Sequence, residues 1–196
     1  MISKELAEIL GLLCSEGCYV RSRSSYWGVD GGKLRFHKDK ITKSIQFYNK
    51  DQKLLLHFQK LILHEFNYLV KITKYNKIYL CRRKVIAAIL DKTKLGHLRW
   101  SVNHDLFENK ECAIALIRGY FDGDGTASKY PRLFSTNHFG LIQVSKLLAI
   151  IGFSSNFQKP LLKINRKPLF TLRIHDGKRF LKTISPISKI QVPMRG

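Results

Sequence analysis

A chain of 196 residues with 44% hydrophobic and 11% aromatic residues is too apolar to remain a disordered basic tail, so its charge must lie on folded surfaces. Lysine and arginine number 35 against 14 acidic residues, which gives a formal net charge of +21, and both halves of the chain are basic. Such an imbalance indicates a polyanionic partner, with nucleic acid as the leading candidate, although a ribosomal or nonspecific basic protein fits the charge equally well.

The sequence has no run of about 18 apolar residues, the length needed to span a membrane, and it begins with an amphipathic segment that contains acids. We therefore expect no membrane association and a cytoplasmic protein, nucleoid-associated in a prokaryotic host and not secreted. The four cysteines lack the paired spacing of a zinc site or a disulfide framework. Reduced, buried thiols are the favoured state.

Taken in chain order, the predicted elements form an internal repeat. The first half gives a helix over 5–18, β-like runs over 19–27 and 43–49, a helix over 54–66, β-like runs over 67–74 and 77–81, and a helix over 84–90. The second half gives a helix over 113–126, a strand stub over 126–130, a β-like run over 131–137, a helix over 141–153, β-like runs over 155–159 and 169–175, and a helix over 179–185.

This order predicts an α+β fold of two pseudo-symmetric αββαββα halves. Each half is expected to be an antiparallel sheet with helices packed on one face, and the halves are joined through the helices over 5–18 and 113–126, here called the repeat helices. The predicted boundaries are 1–95 for the first half, 96–111 for a polar linker and 112–196 for the second half.

Each repeat helix carries a stripe of small residues spaced four apart. The stripes are Ala7, Gly11 and Ser15 on the first helix, and Ala115, Gly119 and Gly123 on the second. Residues four apart share a helix face, and small side chains allow two helices to approach more closely than the usual 8–10 Å. Glycine inside a helix costs about 1 kcal/mol relative to alanine, so matched glycines require a packing reason. The pattern predicts that the repeat helices pack against each other.

A carboxylate stands at the C-terminal end of each stripe, Glu16 or Asp124. Neighbouring carboxylates at helix C-termini repel each other and the negative helix ends, and divalent cations would relieve this repulsion. Mg²⁺ binds one or two carboxylates and keeps room for phosphate oxygens, and paired ions can stabilise both oxygens of a phosphodiester under attack. Asp122 is interpreted as a solvated or capping acid. None of the seven histidines is assigned to catalysis.

The segments LGLLCSEG (10–17) and IRGYFDGDG (117–125) resemble the LAGLIDADG motif of homing endonucleases. Two copies in one chain are similar to the monomeric, intron-encoded members, including archaeal ones. The first copy has Cys14 and Ser15 where the motif has Asp and Ala, but it keeps its final acid as Glu16.

The resemblance implies a monomeric, site-specific endonuclease without an obligate protein partner, which hydrolyses both strands of a long asymmetric double-stranded DNA target. It implies that Glu16 and Asp124, with the backbone carbonyls of Ser15 and Gly123, coordinate Mg²⁺ or Mn²⁺. It also implies that polar residues closing the second strand of each sheet order water and stabilise phosphate charge. These are Asn49 with Lys50 in the first half, and Thr136 with Asn137 in the second.

Alternation in residues 41–47 places Ile41, Ile45 and Phe47 on one strand face and short hydrogen-bonding side chains, suited to base edges, on the other. A strand rises about 3.3 Å per residue and DNA about 3.4 Å per nucleotide, so two ribbons of ten residues would cover roughly 20 base pairs. The candidate DNA contacts are Arg21, Arg23, Arg35, Thr42, Ser44, Gln46, Lys71, Thr73, Thr126, Ser128, Arg132, Lys163, Arg166 and Arg173. Arg35 and Arg132 are candidate readers of guanine.

A hypothesis of a different class is a non-cleaving nucleic-acid binder with the same fold, either an RNA maturase or a DNA-binding regulator. The retention of an acid at both positions argues against it.

Overall fold

The structure, a computed structural model, describes residues 2–96, 98–107, 109–162 and 164–189. The helices are α1 (Lys4–Glu16), α2 (Gln52–Phe66), α3 (Arg83–Lys92), α4 (Lys110–Asp124), α5 (His138–Ile150) and α6 (Gly177–Ile184), with a short 3-10 helix at His104–Phe107. The strands are β1 (Gly17–Asp30), β2 (Lys33–Tyr48), β3 (Lys77–Leu80), β4 (Thr93–Lys94), β5 (Ser101–Val102), β6 (Gly125–Thr126), β7 (Arg132–Ser135), β8 (Ser155–Phe157) and β9 (Phe170–Ile174).

Capping residues determine where several helices begin or end. The side chains of Ser3, Asp51 and Asn109 accept hydrogen bonds from the first backbone N–H groups of α1, α2 and α4. Asn67 ends α2 in the left-handed conformation, with φ of 45°.

Two antiparallel sheets follow the repeat helices, in the orders β1-β2-β3 and β6-β7-β9-β8, and β4 pairs with β5. Gly17 at the start of β1 pairs with Phe47, and Gly125 at the start of β6 pairs with Leu133, so the halves begin in the same way. The predicted α+β class with antiparallel sheets is confirmed.

The first hairpin is long, and the second is short, as predicted. Strands β1 and β2 pair from Gly17 to Asp30 and close over Gly31 and Gly32, both with positive φ, whereas β6 and β7 pair at two positions only. The register of the first hairpin shifts between Ser24 and Tyr26. Strands β1 and β2 therefore extend well beyond the predicted β-like runs over 19–27 and 43–49.

The predicted strand over 67–74 does not form, apart from an isolated bridge between Ile72 and Ile78. A tight turn uses the end of this run, because Thr73 N–H donates to the Lys77 carbonyl at 2.9 Å and Asn76 N–H donates to the Thr73 carbonyl at 3.0 Å. The first half therefore reads αββαβα, and the second keeps the predicted αββαββα order.

The segment predicted as a linker packs onto the core as well as joining the halves. Trp100, Val102 and Phe107 are each 3% exposed or less, within a continuous cluster that includes α1, α4 and both sheets. The boundaries 1–95, 96–111 and 112–196 stay a prediction, and residues 190–196 lie outside the described part of the chain.

All four cysteines are free. Cys14 and Cys112 are buried as expected, but Cys18 and Cys81 are exposed. Within the described ranges, no helix is long and apolar enough to cross a membrane.

Candidate functional site

Helices α1 and α4 pack through their glycine stripes. A Cβ atom at Gly11 would overlap the carbonyl oxygen of Leu116, and one at Gly119 would lie 2.5 Å from the carbonyl oxygen of Glu8. Only glycine fits at either crossing, which explains why two glycines are retained inside helices despite their cost.

The same packing brings the two helix C-termini together. A Cβ atom at Gly123 would overlap the Ser15 side chain and lie 3.0 Å from Cγ of Glu16. Glu16 and Asp124 line one cleft of about 410 Å³, together with Ser15, Ser135 and Thr136. The two predicted acids therefore share a site, one from each half.

Burial raises the pKa of Asp124 to about 7, and the neighbouring Glu16 carboxylate raises it in the same direction. Burial also raises the pKa of Glu16. The ammonium of Lys189 opposes both shifts. The two acids lie in one partly buried cleft, where the negative charge exceeds the positive charge. Such an excess favours the binding of a cation.

Lys189 is a site residue that the sequence reading missed. Its Nζ donates a hydrogen bond to the backbone carbonyl of Gly123 at 3.3 Å. No local pattern distinguishes this lysine from the others, because its position depends on a contact between the segment after α6 and the end of α4.

Asp122 creates that contact. Its carboxylate is 1% exposed and accepts backbone N–H groups from Ile187 at 3.0 Å and Ser188 at 2.9 Å. Asp122 thus caps a neighbouring segment, in agreement with one of the two predicted readings, but it is buried rather than solvated.

Asn49 lies directly beside the first acid. Its Nδ2 donates to Oε1 of Glu16 at 3.2 Å, and its Oδ1 accepts the backbone N–H of Asp51 at 2.8 Å. Lys50, predicted with it, follows on an exposed position.

Asn137, predicted as a catalytic residue, is buried and makes the contacts of a helix cap. Its Oδ1 accepts the N–H of Gly140 at the start of α5, its Nδ2 donates to the Trp100 carbonyl at 2.6 Å, and it is 4% exposed. Phe47 of β2 and Leu133 of β7 each pair with the glycine that starts the preceding strand, so these two residues are equivalent. Counting from them, Ser135 corresponds to Asn49. Asn137, which caps α5, corresponds to Asp51, which caps α2. Ser135 and Thr136 line the cleft at the positions that Asn49 and Lys50 hold in the first half.

The polar face of the first hairpin is where alternation predicted it. Gln46, Ser44 and Thr42 pair with Cys18, Val20 and Ser22, on the face opposite to the buried Ile45 and Phe47. By the same alternation, Arg21 and Arg23 pair with Lys43 and Ile41 on the other face. Arg21 lines a groove against α3 with Arg83 and Ile86. Arg21 and Arg23 therefore lie on the face opposite to Thr42, and their contact with DNA stays a prediction.

The second sheet presents two guanidinium groups side by side. Arg132 pairs with both Thr126 and Arg173, while the adjacent Leu133 and Leu172 are buried on the opposite face. Arg173 stacks on Tyr130, with its Cζ 3.7 Å from the ring centroid.

The remaining predicted DNA contacts are more scattered. Arg35 pairs with Gly28 near the hairpin tip, and Lys71 and Arg166 are exposed outside strands. Thr73 Oγ1 accepts the Lys77 N–H within its turn, and Ser128 Oγ donates to the Tyr130 carbonyl. Lys163 lies outside the described residues.

Comparison with known proteins supports these observations. Residues 111–187 match the LAGLIDADG-like domain family. The chain is 27% identical over 164 residues to a DNA polymerase of Methanocaldococcus jannaschii, an alignment that covers 77% of this chain but spans only 9% of that polymerase.

Solved structures share the fold at low identity. A structure from work on mesophilic variants of the homing endonuclease I-DmoI is 20% identical, covers 92% of this chain and 94% of its own, and has a TM-score of 0.64. I-DmoI in complex with DNA and Mn is 19% identical, covers 92% and 96% of the two chains, and gives 0.63. The N-terminal LAGLIDADG domain of DUF199/WhiA is 14% identical, covers 99% and 86%, and gives 0.55.

Proposed function

Because this chain carries a LAGLIDADG-like domain and has the fold of the two-motif homing endonuclease I-DmoI, we propose that it is a site-specific double-strand DNA endonuclease that depends on a divalent metal. The observation that supports this most strongly is the meeting of Glu16 and Asp124 in one cleft at the packed ends of α1 and α4. An acid is retained in each half, as a reaction on two strands requires.

The chemistry of the cleft fits Mg²⁺ or Mn²⁺. Glu16 and Asp124 supply carboxylate oxygens, and Ser15 and Gly123 lie in the last turns of their helices, where backbone carbonyls lack intrahelical partners. The Gly123 carbonyl already accepts an ammonium group, which shows that this position attracts positive charge. In the part of the chain that the structure describes, no cluster of three or more His, Cys, Asp or Glu side chains exists, so backbone carbonyls, water and DNA must complete the coordination.

A divalent cation bound here supplies positive charge to a scissile phosphate and its leaving oxygen. The protein contributes the positioning. Asn49 fixes the orientation of the Glu16 carboxylate through its amide. In the second half, Ser135 and Thr136 line the cleft. The shorter serine side chain at the position of Asn49 makes the two sides of the site chemically unequal.

The polar sheet faces provide a DNA surface on either side of the cleft. The first half offers Thr42, Ser44 and Gln46, and the second offers Thr126, Arg132 and Arg173. Leu133 of β7 is equivalent to Phe47 of β2, so the residues that precede them, Arg132 and Gln46, are equivalent as well. Bidentate contacts suit both side chains, from glutamine to adenine and from arginine to guanine. The net charge of +21 supplies the phosphate attraction that positions such a surface.

The finer features of the proposal come from the resemblance to the monomeric, intron-encoded homing endonucleases. The protein acts as a monomer on an asymmetric target of roughly 20 base pairs, as strand and DNA rises predict. Its gene lies in an intron, and the protein works in the cytoplasm or at the nucleoid. The structure of I-DmoI with DNA and Mn supports the choice of duplex DNA and a divalent metal.

The test uses a plasmid that carries the uninterrupted sequence of the locus from which the gene comes. Wild-type protein should linearise it with Mg²⁺ or Mn²⁺ and leave it intact in EDTA. The Asp124→Asn variant should bind the same DNA with unchanged affinity and lose cleavage by at least about a hundredfold, the scale of removing a group that stabilises transition-state charge.

Tight, sequence-specific binding without cleavage under any of these metals would contradict the proposal. That outcome would favour an RNA maturase or a DNA-binding regulator with the same fold.

A further inference from the structure

The segment after α6 returns to the end of α4 and is fixed there. Ser185 ends α6 in the left-handed conformation, with φ of 45°, which redirects the chain. Asp122 then accepts N–H groups from Ile187 and Ser188, and the Ser188 hydroxyl donates to the Asp122 carbonyl at 3.4 Å. We call Ser185–Lys189 the C-terminal arm. Because Asp122 lies within α4, the position of the arm is tied to the helix that carries Asp124.

Lys189, in the C-terminal arm, places one positive charge in the acidic cleft. Lys189 Nζ donates to the Gly123 carbonyl, and its charge acts on both Glu16 and Asp124. Asn49 donates to Glu16 but carries no charge. Among the described residues, Lys189 is the cation whose charge bears on both acids.

We propose that Lys189 is a resident cation that balances the two carboxylates and competes with the divalent metal for the Gly123 carbonyl. This inference rests on the proposed function, because it concerns the same cleft. A lysine carried by a fixed arm is always present at the site, so it needs no binding step, whereas an ion from solution must displace it or share the carbonyl with it. Lys189 is therefore a positioning residue that sets the affinity of the cleft for metal.

Two consequences follow from Coulomb's law. Without metal, loss of the ammonium leaves the carboxylates unbalanced, so the protein becomes less stable. With metal, loss of the ammonium removes a repulsive neighbour and a competitor, so the metal binds more tightly. A merely structural lysine would destabilise the protein when removed without increasing its affinity for metal.

The experiment titrates Mn²⁺ into metal-stripped full-length protein without DNA, by isothermal titration calorimetry, and compares wild type with Lys189→Met, Lys189→Arg and Lys182→Met. Methionine keeps the length of the side chain and removes its charge. Lys182, exposed in α6 and remote in sequence from the cleft, is the matched control for loss of one positive charge.

Lys189→Met should bind Mn²⁺ about three- to tenfold more tightly, the effect of removing one nearby, partly screened charge. Lys189→Arg and Lys182→Met should stay within about twofold of wild type. In EDTA, Lys189→Met should melt at a lower temperature than wild type, and this loss should be smaller in an Asp124→Asn background, because one of the two charges that Lys189 balances is gone.

Equal or weaker Mn²⁺ binding by Lys189→Met would overturn the inference and leave the proposed nuclease intact. Failure of every protein, wild type included, to bind Mn²⁺ with or without target DNA would overturn both. The melting comparison separates either result from a simple folding defect, since a structural loss would be undiminished when Asp124 is replaced.

Discussion

The two repeat helices are nearly equivalent, but the two hairpins that follow them are not. α1 and α4 each place a glycine against the other's backbone and an acid at the shared cleft. In contrast, β1 and β2 contain 14 and 16 residues, whereas β6 and β7 contain 2 and 4. For the proposed endonuclease, a site that acts on both strands of DNA needs matched geometry, which would constrain the two helices. The reach of each hairpin along DNA would be free to differ, as an asymmetric target allows.

The helix interface itself is asymmetric at a buried charge cluster. Glu8 of α1 is 2% exposed and is contacted by His57 at 2.7 Å and by Arg118 of α4, whereas its counterpart in α4 is the buried Leu116. We expect Glu8→Gln to lower the free energy of unfolding by about 3 kcal/mol at pH 7, since breaking a buried ion pair costs about 3–5 kcal/mol. Urea unfolding in EDTA measures this.

The same cluster predicts a pH dependence. Burial by itself would raise the pKa of Glu8, but the hydrogen bonds and charges of His57 and Arg118 outweigh it and lower the pKa below its usual 4.5. A lowered acid pKa contributes stability above pH 4.5 that is lost as the pH falls through the folded-state value. The Glu8→Gln protein should lack this contribution. An equal loss of stability on acidification in both proteins would exclude Glu8 as its source.

Substitution of the interface glycines tests whether α1 and α4 contribute equally to the helix contact. Gly11→Ala and Gly119→Ala should each destabilise the protein by about 1–3 kcal/mol, because the new Cβ meets backbone atoms of the other helix that cannot rotate away. Ala87→Ser, at an exposed position of α3, is the control and should change stability by less than about 0.5 kcal/mol. Tolerance of either alanine would mean that α1 and α4 are farther apart than the structure shows.

The two faces of the sheets are expected to differ in DNA binding. Arg173→Ala and Arg132→Ala should each relax base preference on the second-half side of the target, at about 1–3 kcal/mol per contacted base. Arg21→Ala and Arg23→Ala, on the opposite face of the first hairpin, should weaken binding slightly and evenly across sequences. Affinity profiles on target libraries at fixed salt distinguish these outcomes, and a base-specific effect of Arg21→Ala would reverse the assignment of faces.

The hairpins predict an uneven footprint on DNA. Protection should extend farther from the cut on the first-half side. Replacing residues 25–38 by a two-residue Asn-Gly turn removes about six residues from each strand, and should shorten protection on that side alone by about six base pairs. Hydroxyl-radical footprinting reads this directly. Shortening on both sides would show that the hairpins do not divide the target between them.

Features that depend on local sequence patterns were predicted better than features that depend on long-range contacts. The small-residue stripes and the acids at their ends follow helical spacing, so Gly11, Gly119, Glu16 and Asp124 could be placed from sequence. Strand 67–74 was overestimated because a tight turn at Thr73 competes with pairing.

The features of the site that the sequence could not place depend on tertiary structure. Asn137 looked like a partner of Asn49, but the asparagine that precedes α5 is consumed as its helix cap, and only the strand register identifies Ser135 instead. Arg21 and Arg23 lie within the predicted run over 19–27, but only the pairing register of β1 with β2 fixes the sheet face on which they lie. Lys189 is placed by contacts with a residue 66 positions away, which no sequence spacing reports.

Diffraction from crystals of the full chain bound to its target DNA and soaked in Mn²⁺ tests the joint metal site most directly. Data collected at the manganese absorption edge should show anomalous density within coordination distance, about 2.0–2.3 Å, of carboxylate oxygens from both Glu16 and Asp124. Anomalous density elsewhere, or carboxylates that turn away from the DNA while the complex remains intact, would contradict a cleft built jointly by the two halves.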